Sequence, residues 1–445
     1  MAKGYYYPEL LAIHSYSENP SETIAYLQTY TDKLRDDFTA LESGTSVKGI
    51  RLDGHHDDLD RAIAFGSMIH EYVHHLQYSS RSLGLLFYEC RHQQSLWTHA
   101  CLKELREQNM PPLFPLMQYV ASMDSPNPIL NRWSDGWTPY QGAIAITGMG
   151  TWLDIEGSFP QNFSRDWFMA MEPNDAYLKS ERLSWADMLE TEAEVITGDI
   201  LRETFPDVYA DACNALGESE QTLDYRERGL HRLIPLLCDY CMQSHMVMDN
   251  RPVNPRVLFD SAIGTVEKVY AGMEYSELIK HNAEVLDTIE KSTSLPSLTD
   301  LLATGEDEFT KLANVASTPL GVLLKRGIQF RRSHPTWFTA LPAFLMLIMH
   351  EFPIPTWYYF NSKHYNERPN EGFFLGHLDD ATLPVIYQRL CLWASREFAL
   401  RSGPIFCPEC RLNAAKTSCT GSCGFVLTCS DQFNLDPFKR EWINS

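Results

Sequence analysis

The sequence predicts a mainly α protein, of α+β type, made of one large helical domain and a small cysteine-rich module near its C-terminal end. Through most of the chain, apolar residues recur every three or four positions, which is the period of one helix face. Prolines punctuate these segments at the spacing of loops between helices, and no repeat is visible. Five of the eleven cysteines lie between positions 407 and 429. We therefore expect a helical domain over residues 1–402 and a cysteine-rich module with its tail over residues 403–445.

The composition indicates a globular protein with an acidic surface. The chain has 445 residues, 44% of them hydrophobic, and can bury a sizeable core, while its net charge of −21 argues against nucleic acid or an anionic membrane surface as partner. Residues 1–17 have no apolar core of signal-peptide type, and the apolar run at 337–349 is short and contains Pro342. We expect no export, no membrane span, a cytoplasmic location and reduced cysteines.

Taken in chain order, the first predicted helix covers residues 21–42, with Ser21 as a candidate N-cap. Residues 44–57 are polar and predict a loop or extended passage, in which 46–52 is the candidate strand beside a substrate cleft. Between 111 and 173, clusters of Pro, Trp, Asn, Asp and Gly indicate a long irregular insertion, with room for short strands. Helices are expected over the segments 59–78, 83–105, 182–203, 225–248, 255–270, 278–291, 298–313, 320–330 and 381–400.

The segment 59–78 contains the pattern with the most specific chemistry, His70-Glu71-Tyr72-Val73-His74. Two imidazoles one helical turn apart can hold one cation, at about 2.0–2.1 Å from each nitrogen if the metal is zinc. Glu71 points to another side, where it can reach a water in the metal's open position and act as general base. Gly66, one turn earlier, lets substrate or a neighbouring element approach closely. We expect His75 to be a surface residue or to support the site without binding the metal.

A catalytic zinc site needs a third protein ligand, and the segment 185–199 contains three candidate glutamates. Glu190 lies along one edge of the buried face of this predicted helix, together with Ala193, which is small enough for a close helix contact. Glu192 projects into the apolar face itself, where a carboxylate must find a partner or a metal. Glu194 lies on the same edge as Glu190. All three remain candidates at this point.

Together, His70-Glu71-Tyr72-Val73-His74 and Glu190-Thr-Glu-Ala193-Glu194 resemble the gluzincin branch of the zincin metallopeptidases. The resemblance covers about ten motif positions. It implies a zinc peptidase in which Glu190 is the third ligand and Glu194 orients an imidazole. Such an enzyme also needs a donor that stabilises the oxyanion. His231, flanked by Arg228 and Arg232, is our candidate, beside His245 and the tyrosines.

The same pattern allows two other functions. Two histidines and one carboxylate also form the ligand set of Fe(II) oxygenases, so the protein could modify a peptide by oxidation. Alternatively, a zincin that has lost its activity could serve as a binding scaffold. Under the peptidase hypothesis, which we favour, the partner is a protein or peptide substrate.

The C-terminal cysteines predict a second, structural zinc site. Cys407-Pro-Glu-Cys410 is followed by Cys419, Cys423 and Cys429 in a short Gly-, Ser- and Thr-rich segment. Four thiolates close a tetrahedral zinc site, which lets a short segment with little core fold. We expect Cys407, Cys410 and Cys419 to bind, with Cys423 favoured over Cys429, and the module to fold the tail or dock a partner protein. Cys90 and Cys101 are expected in ordinary core or surface roles, and Cys238 and Cys241 in the core of a helical apolar segment.

Overall fold

The described part of the chain is mainly helical, which confirms the predicted class at that level. The structure, a computed structural model, describes residues 4–7, 12–17, 58–110, 116, 127–146, 185–227, 229–243, 255–270, 282–293, 300, 319–333, 356–361, 398–399, 430, 435–436 and 441–442. The helices are α1 (Leu59–Ser80), α2 (Ser82–Glu107), α3 (Pro128–Ile146), α4 (Trp185–Thr204), α5 (Tyr209–Leu216), α6 (Glu220–Glu227), α7 (Ile234–Gln243), α8 (Pro255–Tyr270), α9 (Asn282–Thr293) and α10 (Pro319–Ser333). The strands are β1 (Gly4–Tyr7), β2 (Ala12–Ser17), β3 (Thr356–Asn361), β4 (Leu435–Asp436) and β5 (Glu441–Trp442). None of the helices in these ranges has both the length and the apolar character that a membrane span needs.

Helix α1 is the centre of this assembly. It begins at Asp58, whose carboxylate accepts a hydrogen bond from the Arg61 backbone amide at 3.1 Å and caps the helix. Helices α2, α4, α5 and α10 and strands β1 and β2 all pack against it. Almost every residue of its second half is buried, polar ones included. The predicted single apolar stripe therefore understates how much of this helix is covered.

The core beside α1 is apolar and lies mainly against α4 and α5. It is formed by Ile13, Ala62, Phe65, Met68, Ile69, Tyr72, Val73, Leu76, Ala193, Ile196, Ile200, Leu201, Phe205, Ala212 and Cys213. A Cβ atom built on Gly66 would lie 2.7 Å from a Leu216 methyl carbon and 2.9 Å from one of Leu201. The close approach predicted at Gly66 is thus made by neighbouring elements, α4 and α5.

A three-stranded sheet, in the order β1-β2-β3, packs against α1 through β1 and β2. Strand β1 is antiparallel to β2, with Tyr6 opposite Ile13, and β2 is parallel to β3, with Ile13 opposite Trp357. The sheet thus joins segments from opposite ends of the chain, and Ile13 inserts into the core of α1. The sequence analysis did not predict these strands. Its own candidate strand at 46–52 lies outside the described residues.

The predicted irregular insertion at 111–173 is wrong where it is described, because α3 occupies Pro128–Ile146. Gly136 and Pro139, interpreted as loop signals, lie inside this helix. The buried rings of Trp133 and Trp137 stack one turn apart, with centroids 5.5 Å apart. A Cβ on Gly136 would overlap the Trp97 ring of α2. Packing against α2 therefore overrides the weak local helix propensity.

The other predicted helices fall into three groups. The one at 255–270 has the predicted bounds, while α4, α9 and α10 differ from prediction by a few residues. The single helix predicted at 225–248 is wrong, because Gly229 adopts a φ of 71° that ends the α6 segment before a 3-10 turn at His231–Leu233 and α7. The predicted helix at 21–42 lies outside the described residues. Of the predicted helix at 298–313, the structure describes residue 300 alone. Of the one at 381–400 it describes residues 398–399, which are helical.

Candidate metal centre

Helices α1 and α4 bring three potential ligands together: His70, His74 and Glu190. The Nε2 atoms of the two histidines lie 3.2 Å apart. Glu190 reaches across from α4, with Oε2 3.0 Å from His70 Nε2 and Oε1 3.3 Å from His74 Nε2. Ala193, fully buried one turn beyond Glu190, lets α4 pack closely on α1. This is the one group of three or more potential metal ligands found within the described residues.

The two histidine nitrogens of this cluster are spaced as in a tetrahedral zinc site. Ligand atoms about 2.0–2.1 Å from a tetrahedral zinc lie about 3.3 Å from one another, and the two Nε2 atoms are 3.2 Å apart. Each Glu190 oxygen contacts a different histidine, at 3.0 and 3.3 Å, and ligand atoms taken one from each of the three residues lie within 4.8 Å of one another. The donor set of two imidazoles and one carboxylate is one that zinc accepts in catalytic sites. His70, His74 and Glu190 could therefore hold zinc after a shift of the Glu190 carboxylate, leaving a coordination position for water or substrate.

Electrostatic attraction holds the two helices together at this cluster. Burial lowers the pKa of His74, but the charge and hydrogen bond of the Glu190 carboxylate, together with Glu71 and Gln77, raise this pKa to about 9. Burial would likewise raise the pKa of Glu190, but His74 and His70 hold it well below its usual range. Protonated His74 thus pairs with ionised Glu190, and a bound cation would take the place of the proton on Nε2.

A buried polar chain supports His74 on the side away from Glu190. Gln77 Oε1 lies 2.7 Å from His74 Nδ1, and Gln77 Nε2 lies 2.8 Å from Glu192 Oε2. Arg81 completes the chain by donating two hydrogen bonds of 2.6 Å to the two Glu192 oxygens. Arg81 and Glu192 are fully buried.

Glu71, the proposed general base, lies next to the ligands but faces the protein interior. The residue is only 5% exposed, and burial raises the pKa of its carboxyl group, opposed by the charges of His70 and His74. The backbone N–H of Tyr6 on β1 donates a hydrogen bond to it. A carboxylate in such a position is more basic than one in water and has its orientation fixed, two properties that suit proton transfer.

The other two candidate ligands on α4 have different partners. Glu192 is engaged by Arg81 and Gln77, so its burial is explained without a metal. Glu194 turns to the start of α6, where it accepts hydrogen bonds from the backbone N–H and hydroxyl of Ser219, at 3.1 and 2.6 Å, and from the Thr222 hydroxyl. The role that the resemblance implied for Glu194, orienting an imidazole, is therefore wrong. Gln77 holds that position.

His231 lies away from the cluster. Its Nε2 atom is 3.8 Å from Asp199 Oδ1, and Asp199 lies about 13 Å further along the α4 axis than Glu190 at 1.5 Å per residue. His231 is therefore too far away to stabilise an oxyanion at the cluster. His245 lies outside the described residues.

His75 is buried and not a surface residue. Its Nδ1 atom lies 3.1 Å from the Tyr6 hydroxyl, and the two rings meet edge-on. His75 thus contacts the same β1 residue whose backbone binds Glu71. It is not part of the three-ligand group.

The predicted thiolate site lies outside the described residues. The structure describes none of its five candidate ligands, Cys407, Cys410, Cys419, Cys423 and Cys429. Of the tail it describes little beyond the short antiparallel pair β4-β5. Cys90, Cys101, Cys213 and Cys238 are buried, which confirms the core position predicted for Cys238 and places Cys90 and Cys101 in the core and not at the surface. Burial raises the pKa of the Cys101 thiol to about 12 and that of Cys213 to about 11, so neither is a reactive thiolate.

The sequence analysis missed three residues that shape the site: Gln77, Arg81 and Tyr6. Gln77 carried a readable signal, because it lies one turn after His74 on the same helix face and a polar residue there needs a partner. Arg81 follows α1 directly, but nothing local shows that it turns inward. Tyr6 reaches the site through the sheet, which leaves no trace in the motif.

Comparisons of this chain with protein-family models, with curated proteins and with solved structures gave no match. The gluzincin resemblance therefore rests on the motif residues alone.

Proposed function

We propose that the protein is a zinc-dependent peptidase with a zincin-like catalytic domain. The observation that carries this proposal is the meeting of His70, His74 and Glu190, whose potential ligand atoms lie within 4.8 Å of one another, beside the buried carboxylate of Glu71. The substrate class is a protein or peptide. With a net charge of −21, the enzyme favours a neutral or basic polypeptide.

His70, His74 and Glu190 would hold the zinc ion, which when bound would acidify a water molecule and polarise the scissile carbonyl. Glu71 then has the proton-transfer role. Its carboxylate accepts a proton from the attacking water and passes it to the leaving amine. The Tyr6 backbone N–H keeps the Glu71 carboxylate in place during both transfers.

Glu71 also favours hydrolysis over the two other functions. An Fe(II) oxygenase needs the three ligands but no buried carboxylate beside them. A binding scaffold needs neither the three ligands nor the buried carboxylate. The raised pKa of Glu71 and its fixed position are features that a general base requires, and they support the peptidase.

The cysteine-rich segment has a separate part in this proposal. Cys407, Cys410, Cys419 and Cys423 would hold a structural zinc ion that folds the tail or docks a partner protein. This second ion takes no part in catalysis. It adds one zinc ion to the expected metal content.

The test combines metal analysis with peptide cleavage. Protein purified without added metal is expected to contain two zinc ions per chain and to cleave a mixed peptide library. Glu190→Gln should lose one zinc ion, whereas Glu194→Gln, which changes the same residue type one turn along α4, should keep both. Glu71→Gln should keep both ions and lose about 10²–10⁴-fold in kcat. Iron in place of zinc, or full activity in Glu71→Gln, would refute the proposal.

A further inference from the structure

One buried side chain, Gln77, forms hydrogen bonds to both of the helices that supply the ligands. We infer that Gln77, locked in place by Glu192 and Arg81, is the positioning residue of the metal centre. It fixes the orientation and tautomer of His74 on α1 and the alignment of α4, which carries Glu190. This inference rests on the proposed metal site, and it assigns a role in that site to a residue that does not bind the metal.

The first step is the orientation of the Gln77 amide. Its Nε2 atom lies 3.0 Å from the Leu189 carbonyl oxygen and 2.8 Å from Glu192 Oε2. Both of these atoms are acceptors, so the NH₂ group of Gln77 must face them. The carbonyl oxygen, Oε1, is therefore the atom that faces His74 Nδ1 at 2.7 Å.

The tautomer of His74 follows from this orientation. An amide oxygen accepts hydrogen bonds and cannot donate them, so His74 Nδ1 must carry a proton. In the neutral imidazole, the lone pair is then on Nε2, the atom that lies 3.2 Å from His70 Nε2 and 3.3 Å from Glu190 Oε1. Gln77 thus presents the metal-binding nitrogen of His74 to the cluster and prevents the opposite tautomer.

The second contact of Gln77 aligns the two helices. Leu189, whose carbonyl accepts from Gln77, directly precedes Glu190 on α4. The same amide group therefore touches one ligand on α1 and the backbone beside another ligand on α4. A sliding of α4 along α1 that moved Glu190 away from the histidines would break this bond.

The third step is the anchoring of Gln77 itself. Glu192 receives two 2.6 Å hydrogen bonds from Arg81, and both side chains are fully buried. A buried ion pair contributes little stability compared with packed apolar side chains. Its consequence at this position is geometric, since it fixes the carboxylate oxygen to which the Gln77 NH₂ group donates.

The experiment measures zinc affinity apart from activity. Gln77→Met keeps the length of the side chain and removes both hydrogen-bonding groups. Chelator competition on the folded variant should show zinc binding at the histidine site about 10–100-fold weaker than in the wild type. Cobalt in the same site should lose the intense visible absorption of a four-coordinate ion.

Gln94→Met is the matched control. Gln94 is a buried glutamine on α2 that accepts a 2.9 Å hydrogen bond from Arg91, three residues earlier. A substitution there should lower the melting temperature but leave zinc affinity and the cobalt spectrum unchanged. If Gln77→Met and Gln94→Met weaken zinc binding equally, the positioning role is refuted and a general loss of stability is responsible.

A paired exchange covers the case in which Gln77→Met folds poorly. Gln77→Glu alone places two buried carboxylates together and should weaken zinc binding strongly. Adding Glu192→Gln restores one carboxylate and one amide in exchanged positions, although a carboxylate at position 77 cannot donate to the Leu189 carbonyl. Zinc affinity should therefore recover about tenfold from that of Gln77→Glu and stay below that of the wild type. A double variant no better than Gln77→Glu would contradict the inference. Absence of zinc at the histidine site of the wild type would instead refute the proposed function.

Discussion

The buried ion pair between Arg81 and Glu192 yields a prediction that compares it with an exposed Arg–Glu pair of similarly short contacts. Glu192→Gln removes the charge that compensates Arg81. The exposed pair Arg132–Glu104 has equally short contacts of 2.5 and 2.6 Å, with 57% and 38% of the side chains exposed. Glu104→Gln is therefore the same chemical change at a site that solvent screens. Burial is the main difference between the two substitutions.

The expected size follows from the surroundings of Glu192. Breaking a buried pair by removing one partner costs about 3–5 kcal/mol, because the other charge stays buried without compensation. A second buried arginine, Arg331 on α10, lies close enough to affect both residues: burial and the Arg81 charge lower its pKa, and Glu192 opposes this. Glu192→Gln removes the negative charge that acts on both buried arginines, so we expect it to lower the free energy of unfolding by about 5 kcal/mol. Arg81→Met leaves the Glu192 charge close to that of Arg331, so we expect it to lower the free energy of unfolding by about 3 kcal/mol.

The assay is urea-induced unfolding of the metal-free protein, followed by circular dichroism in the far ultraviolet. The expected order of destabilisation is Glu192→Gln, then Arg81→Met, with Glu104→Gln close to the wild type. The reasoning fails if Glu192→Gln and Glu104→Gln unfold at the same urea concentration. A larger cost for Arg81→Met than for Glu192→Gln would show that Arg331 does not contribute.

Two further predictions concern helix packing and pH. A Cβ on Gly327 of α10 would lie 2.0 Å from the Ser79 carbonyl oxygen, whereas one on Gly264 of α8 meets nothing within 4 Å. In thermal unfolding, Gly327→Ala should therefore lower the free energy of unfolding by about 1–3 kcal/mol, and Gly264→Ala should raise it by about 0.5–1 kcal/mol. Stabilisation by both substitutions would contradict the close contact at Gly327. The pKa of His74, raised to about 9, means that its contribution to the stability of the metal-free protein is present below about pH 6.5 and is lost as the pH rises through 9. Zinc affinity, measured by chelator competition, should accordingly rise about tenfold per pH unit in that range, because one proton leaves for each ion bound, and a flat profile would argue against it.

The parts of the fold that the sequence could predict are those with a local cause. The apolar periods of 59–78 and 182–203 place α1 and α4 within a few residues of their observed bounds. The histidine pair follows directly, since i and i+4 share a face on any helix. The sheet could not be predicted in this way, because β2 and β3 are far apart in the sequence. The residues of one strand contain no signal that identifies the other strand as its partner.

The choice among the three glutamates shows where local reasoning ends. Glu190, Glu192 and Glu194 are close in sequence and have the same chemistry. Their roles differ because Arg81 contacts Glu192, while Ser219 reaches Glu194 after the left-handed Gly217 turns the chain into α6. None of these partners is on α4. Helix position predicted that Glu190 could reach a metal, and tertiary contacts occupy the other two.

Two carboxylates meet the histidine pair, and their environments give them different chemistry. Burial raises the pKa of Glu71, whose residue is 5% exposed, whereas His74 and His70 hold the pKa of the half-exposed Glu190 well below its usual range. A carboxylate with a low pKa stays ionised and suits a metal ligand, while one with a raised pKa binds a proton more readily and suits a base. The solvent reaches the cluster over Glu190 and His70, with side chains 54% and 20% exposed, and not over His74, at 8%. Under the proposed function, a peptide would therefore arrive on the side of Glu190 and His70, and Glu71 would be shielded from bulk water.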